Sequence, residues 1–348
     1  MKVLDIAMVM ILIVIIILFL IVARDILIPM VMAVFIWYLI NVMAVTIRRI
    51  KIFGVQIPSF VSYMVSITGM LALLFFVTVL ITSNISQVVK AIPVYENNFQ
   101  RVTAHLMQFL HIEKTLDLKS MFRDIDISHI ATQTASALTG LVSKTGLIIL
   151  YIFFLFLEQK FFPRKLRAMV HEQKKFQDML EMIEMIDRDI RTYIGIKTLV
   201  SLLTAILGYL IMASVGLDFA GFWAFLLFLL NFIPTLGSLL ATILPSLLAL
   251  VQFETLTPFL IVLGGIQTVQ LVVANLIEPR LMGESLNLSP LVIILSLVLW
   301  GTLWGIPGMF FCVPLTVIFL IILSHFQKTR PVAVMLTKEG KLKYGEKS

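Results

Sequence analysis

Uncharged apolar stretches succeed one another along most of the chain, and two of them are too long and too broken to be single spans. Ile6 to Ala23 gives eighteen residues without a formal charge, and a second run, Ile26 to Ile47, begins at once after Arg24-Asp25. A third span is predicted at about 59–84 and a fourth at about 141–158, with Lys144 near its outer edge. Thr198 to Leu217 is a fifth, ending at the turn Gly216-Leu217-Asp218, and Thr255 to Ile277 is a sixth. Crossing a bilayer takes ~20 apolar residues. Phe219 to Phe253, however, is uncharged for thirty-five residues and broken at Pro234 and Gly237. Ser285 to Ser324 is uncharged for forty and broken at Gly305, Pro307 and Gly308. Each arm of the first broken run holds ~15 residues, or ~22 Å of helix at 1.5 Å per residue, less than the ~30 Å hydrocarbon core. Such runs read as two short helices meeting at an elbow.

Composition agrees with that pattern. The 348 residues are 60% hydrophobic and 14% charged, with a mean hydropathy of +1.03, well outside the range of soluble domains. The formal net charge of +7 does not point to nucleic acid, because the basic residues gather in connecting segments and the tail, where they set topology and meet anionic lipid. Arg48, Arg49 and Lys51 occupy the loop at 47–58 without an acid. The 159–197 segment carries nine basic residues and the tail after Gln327 six, whereas 85–140 has five basic and five acidic. Both termini in the cytoplasm, with 85–140 outside, satisfies all of these. The first apolar run is not followed by a small-residue cleavage motif, so a span is expected there rather than a signal peptide. Cys312, the lone cysteine, lies in an apolar run and is expected to be a buried small hydrophobe.

The expected organisation is therefore three N-terminal spans in 1–84, an extracytoplasmic amphipathic segment at 85–140 and a fourth span at 141–158. A cytoplasmic amphipathic helix follows at 159–197, then a transport unit at 198–326 and a basic cytoplasmic tail at 327–348. In the cytoplasmic helix Phe176, Met179, Ile183, Ile186, Ile190 and Tyr193 recur at 3-4 spacing, a seam that packs either within the subunit or between subunits. In the outer segment Ile92, Tyr95, Phe99, Val102, Leu106 and Phe109 fit a helix lying along the membrane surface. The tail lacks periodicity and is expected to be mobile.

The fold class is thus all-α: a polytopic membrane protein with about six full spans plus two Pro/Gly-broken helical hairpins. Span plus hairpin occurs twice, with opposite predicted orientation, which makes an inverted repeat. The elbows share Ile233-Pro234 with Gly237 and Ile306-Pro307 with Gly308, and a second proline follows in each arm, Pro245 and Pro314. Proline frees a carbonyl and glycine permits close approach; at membrane depth such backbone is tolerated where protein or a water-filled cavity satisfies it. Paired interrupted segments point to the substrate site of a secondary transporter. On the crossing stretch between the hairpins, Gln267, Gln270, Ala274 and Glu278 fall within one face of a straight helix. Polar groups are costly against lipid, so that face must look into protein or water. Interhelical hydrogen bonding and a solute or ion path are the two uses for it, and Glu278 either joins the path or pairs with Arg280 near the inner interface. The candidate pathway residues are Asn231, Pro234, Gly237, Gln267, Gln270, Glu278, Pro307 and Gly308, the elbows meeting near the midplane.

At these residues the chain resembles the autoinducer-2 exporter family of bacterial membrane proteins. The matching pattern is Asn231-Phe-Ile-Pro234-Thr-Leu-Gly237 to Pro245, Glu278-Pro279-Arg-Leu281-Met-Gly283, Leu288-Ser289-Pro290, Trp300-Gly301, Trp304-Gly305-Ile-Pro307-Gly308 and Val313-Pro314-Leu315. It covers about 190–325 with specific motifs and the rest by layout. The resemblance implies a transporter without its own nucleotide-binding domain, a homo-oligomer, and export of a furanone signal or sodium/proton antiport.

Enzyme signatures are missing from the sequence: no His-Glu-x-x-His, no Gly-x-Ser-x-Gly and no phosphate loop. Its five histidines are scattered, so neither a metal nor another cofactor is expected; Asp124 and Asp126 read as a solvated loop more readily than as a cation site. Expected partners are membrane lipid, a small polar solute, H+ or Na+ as a coupling ion, and copies of the same chain. The first functional expectation is a secondary exporter of a small polar solute in the bacterial inner membrane. Sodium(lithium)/proton antiport is the alternative, and a non-transporting membrane scaffold is the reading from another class.

Overall fold

The computed structural model describes residues 3–49, 51–52, 55–77, 79–80, 83, 144–170, 172–282 and 287–342. The amphipathic segment expected at 85–140, with Asp124 and Asp126, lies outside the described residues.

The described chain is helical apart from a small antiparallel pair, β1 (Lys51–Ile52) with β2 (Val55–Gln56), in the short loop after the second helix. In order the helices are α1 (Val3–Val22), α2 (Arg24–Arg49), α3 (Ser59–Val77), α4 (Lys144–Gln159), α5 (Phe162–Met169) and α6 (Gln173–Ser214). They continue as α7 (Ala220–Leu230), α8 (Leu236–Gln252), α9 (Leu256–Met282), α10 (Pro290–His325) and α11 (Arg330–Leu336). Among the described residues, α2, α3, α6, α9 and α10 are each long and apolar enough to cross a bilayer, and α4 with α5, bent by 65°, makes a sixth candidate. Their outward surfaces are apolar: Phe60, Phe75 and Phe76 of α3 and Phe153 and Phe154 of α4 are all more than half exposed. Small polar residues turn inward instead. Ser62 and Ser66 are buried and return their hydroxyls to carbonyls four residues back, which satisfies them without water. Apolar outside with satisfied polar groups inside is the arrangement that lipid as a solvent imposes.

Two compact units divide the chain: Met1–Ala72, Thr139–Ile190 and Asn287–Ser348 in one, Leu73–Leu138 and Arg191–Leu286 in the other. In the first, α1, α2 and α10 pack together. Asn41 of α2 is the hub of a polar network there: Tyr63 and Gln159 both donate to its Oδ1 (3.0 and 3.1 Å), and Trp37 donates to Gln159. The core of the second unit is built from Met212 and Leu217 at the end of α6 and its turn, Ala224 and Leu227 of α7, Ala241, Leu248 and Ala249 of α8, and Val262 and Ile266 of α9.

One expected boundary lies within a single helix, and one expectation, of a mobile tail, is corrected. The boundary drawn between a cytoplasmic helix ending at 197 and a span starting at 198 falls inside α6, which runs unbroken for 42 residues or ~63 Å. No proline stands near Lys197, and Gly195 is accommodated inside the helix, so the chain passes the boundary without a break. Along its first half Phe176, Met179, Ile183, Ile186 and Ile190 are half-buried and Tyr193 is buried. The described part of the tail, to residue 342, is docked rather than free of the fold. Leu288 and Thr337 form an isolated bridge, Ser289 N–H donates to Leu336 O at 3.0 Å, and Asn287 Nδ2 donates to Lys341 O at 2.7 Å. Ala333 of α11 is fully buried, so the tail docks through one small side chain and a strip of backbone, which periodicity in a sequence does not register.

Candidate functional site

The first broken run is a hairpin of α7 and α8. Its open end is tied by one side chain: Gln252, closing α8, donates to Gly216 O at 2.9 Å and accepts from the Asp218 N–H at 2.8 Å, just ahead of α7. The arms hold 11 and 17 residues, ~17 and ~25 Å. At the elbow Thr235 has φ 61° and ψ −61°, with Leu236 N–H donating to Pro234 O at 2.6 Å: a γ-turn of positive φ, rare and strained for a β-branched residue. Thr235 is exposed, so nothing but the backbone is at stake there. Thr235→Gly is therefore expected to raise the thermal unfolding midpoint in detergent, by the equivalent of ~1 kcal/mol.

The second broken run folds back inside α10. Gly305 has φ 65° and ψ −142°, a conformation open to glycine alone, and the helix axis reverses there. Ser296, sixteen residues before Cys312, donates to its carbonyl at 3.0 Å and meets the hydroxyl of Thr316. Sixteen residues of straight helix would separate those groups by ~24 Å. Trp300 stacks obliquely on Trp304 of its own arm and on Phe319 of the other.

One device closes both elbows. A Cβ at Gly237 would lie 1.7 Å from Leu230 O, and a Cβ at Gly308 1.9 Å from Trp300 O. In each hairpin the first turn of the second arm presses its backbone on the last carbonyls of the first. Pro234, Gly237, Pro307 and Gly308 thus sit where the sequence placed them, at elbows. The glycines are accounted for by close packing within their own hairpins. The two elbows belong to different units.

The second unit also holds a column of buried polar groups. Lys197 and Ser201, one turn apart on α6, share a face, and Thr204 continues it. Lys197 Nζ lies 2.6 Å from Glu278 Oε1 of α9, with side chains only 10% and 20% exposed. Ser201 Oγ accepts from Asn231 Nδ2 at 3.2 Å, so the residue capping α7 is anchored on α6. Gln270 is 5% exposed, and its Nε2 is buried without a hydrogen-bond partner among the described residues. Helices α6 and α9 run antiparallel: Gly265 faces Ile211 while Glu278 faces Lys197, which sets Gln270 at about the level of Ala205.

The straight-helix face is corrected in one respect. Gln267 and Ala274 are exposed, and the buried stripe of α9 runs Val262, Ile266, Gln270, Val273. Ile277 would come next, but Val273–Ile277 is a π-turn in which the Glu278 N–H donates to Val273 O. One extra residue in the turn carries Glu278 round to face α6, and such turns recur at functional sites. Glu278 accordingly pairs with Lys197 and not with Arg280. Lys197 and Ser201 were missed because Lys197 closes a basic run that reads as a topology signal. Their spacing of four, at the start of an uncharged span, was the available clue.

Apolar outer faces, two helical hairpins bent at Pro/Gly elbows and a buried polar column together define a multi-pass α-helical membrane protein of the transporter class. The chain belongs to the AI-2E family of transporters, whose description, AI-2E family transporter, matches residues 7–328. It is similar to the AI-2 transport protein TqsA of Escherichia coli K12, with 29% identity over 92% of this chain and 91% of that one. A candidate transport protein of Haemophilus influenzae is 31% identical over 90% of each chain. A candidate permease of Escherichia coli K12, PerM, is 46% identical over 67 residues, 19% of each chain.

Proposed function

We propose that the chain is a secondary transporter that exports a small polar solute, of the kind a quorum-sensing signal represents, with the column of Lys197, Ser201, Asn231, Gln270 and Glu278 as part of its path. It lies in the bacterial cytoplasmic membrane with both termini inside, and its copies meet along the seam at 176–193. The Gln270 amide carries this reading. A buried donor without an acceptor costs ~1–3 kcal/mol, and a solute oxygen that passes or binds there recovers it. The name of TqsA, an AI-2 transport protein, supports a solute of that size and polarity.

Flux into proteoliposomes, with a panel of small polar solutes and with sodium under an imposed pH gradient, tests the proposal. Gln270→Met keeps the volume and removes the orphan donor. It is expected to lower solute flux at least about tenfold while leaving the unfolding midpoint unchanged or higher. Wild-type flux in this variant would remove Gln270 from the path. Sodium/proton exchange is the second reading, favoured by an ionisable pair at one end of the column, and it predicts sodium flux that depends on the pH gradient. Absence of any flux would return the chain to the scaffold reading.

A further inference from the structure

The Lys197–Glu278 pair has a placement that the solute path alone does not require. Lys197 precedes Ser214, the last residue of α6, by seventeen residues or ~26 Å, so the pair stands near one boundary of a ~30 Å core. Ser201 and Asn231 lie one turn deeper, and Gln270, eight residues before Glu278, lies ~12 Å deeper. The pair therefore caps the column. It spans from an unbroken helix, α6, to the part of α9 that follows the π-turn, where the helical hydrogen bonding changes register. Past Glu278 the described helix runs through Pro279 and Arg280 to Met282. A piece of helix beyond a π-turn, tied to a neighbouring helix by an ion pair, has the parts of a latch.

We propose that Lys197 is a positioning residue, acting through Glu278, and that their ion pair is a latch closing one end of the buried column. When the pair parts, the end of α9 swings at the π-turn and the column opens to the adjacent aqueous face. The proposal rests on the reading that the column carries solute, but the latch can be tested without transport. The full chain is placed in membrane vesicles of either orientation, with Cys312→Ser and a reporter at Ser201→Cys. The probe is a membrane-impermeant methanethiosulfonate reagent.

With the pair intact, slow modification from both faces is expected. The double variant K197M/E278Q removes both charges at nearly constant volume, leaving neither an orphan ion nor an apolar plug. It should be modified at least about tenfold faster, from one face only. The swapped variant K197E/E278K restores the attraction and should return to the slow rate. Parental rates in the double variant overturn the latch. Acceleration from both faces alike, or a swapped variant as fast as the double variant, overturns it too, because either marks general loosening. Lys197→Arg keeps the charge and is the second route: it should stay slow, and a fast rate in a folded Lys197→Arg protein also overturns the latch. If the labelling behaves as expected while no solute in the panel moves, the latch stands and the transport reading of the column falls. Flux with unaltered labelling gives the reverse.

Discussion

Replacing Gly308 by alanine should cost the protein ~3 kcal/mol or more, and Gly237→Ala should cost a similar amount. The new Cβ would meet a backbone carbonyl at 1.9 Å in the first case and 1.7 Å in the second, and a main-chain oxygen cannot turn aside as a side chain can. Relief requires the arms to part. In the second hairpin that would also break the contacts of Ser296 with Cys312 and Thr316, both buried. Thermal unfolding in detergent is the measurement, with Gly221→Ala and Gly264→Ala as comparisons. Open space surrounds a Cβ at those two helical positions, and alanine there is expected to be neutral or to gain up to ~1 kcal/mol. Gly301→Ala should fall between, since its Cβ would meet only the flexible Met309 side chain at 3.0 Å. Equal midpoints across all of these variants would mean that the elbows do not hold the arms as closely as the geometry states.

Glu278→Leu is expected to have the next largest effect. It leaves the Lys197 ammonium buried without its carboxylate, and breaking a buried pair from one side costs ~3–5 kcal/mol. Because the pair stands near a boundary and Glu278 is one-fifth exposed, the lower end of that range is expected. Lys197→Met breaks the same pair from the other side and should also destabilise. In the double variant K197M/E278L no charge remains to be desolvated, and its stability should lie within ~1 kcal/mol of the parent. The double-mutant cycle over these four proteins gives the coupling energy directly. A coupling near zero would place the pair in water and remove the reason for its burial.

Stability and function pull apart at these two features. The glycines are demanded by packing within each hairpin, so their loss is felt first as unfolding. The ion pair is a poor stabiliser compared with apolar residues of the same volume, so its presence needs a reason beyond stability, and the latch supplies one.

The sequence by itself determined the class of this protein and most of its layout. Long uncharged runs force helices into lipid because backbone groups have no other partners there, and that argument needs no tertiary contact. Both hairpin elbows were legible for the same kind of reason: Pro234, Gly237, Gly305, Pro307 and Gly308 constrain the chain locally. Asn231, Gln270 and Glu278 were legible as polar groups in apolar surroundings. Tertiary structure alone decided which groups meet. Whether Gln267 or Gln270 turns inward depends on which face of α9 is packed, and whether Ile277 or Glu278 faces α6 depends on a single π-turn that shifts the helical register by one residue. Lys197 could be counted as a topology signal or as the partner of Glu278, and eighty intervening residues hide the second choice from any local pattern. The docked tail belongs with these, since a buried Ala333 and a few backbone hydrogen bonds leave no periodic trace. Local rules fix what each segment can be, and long-range packing fixes which polar group each segment finds.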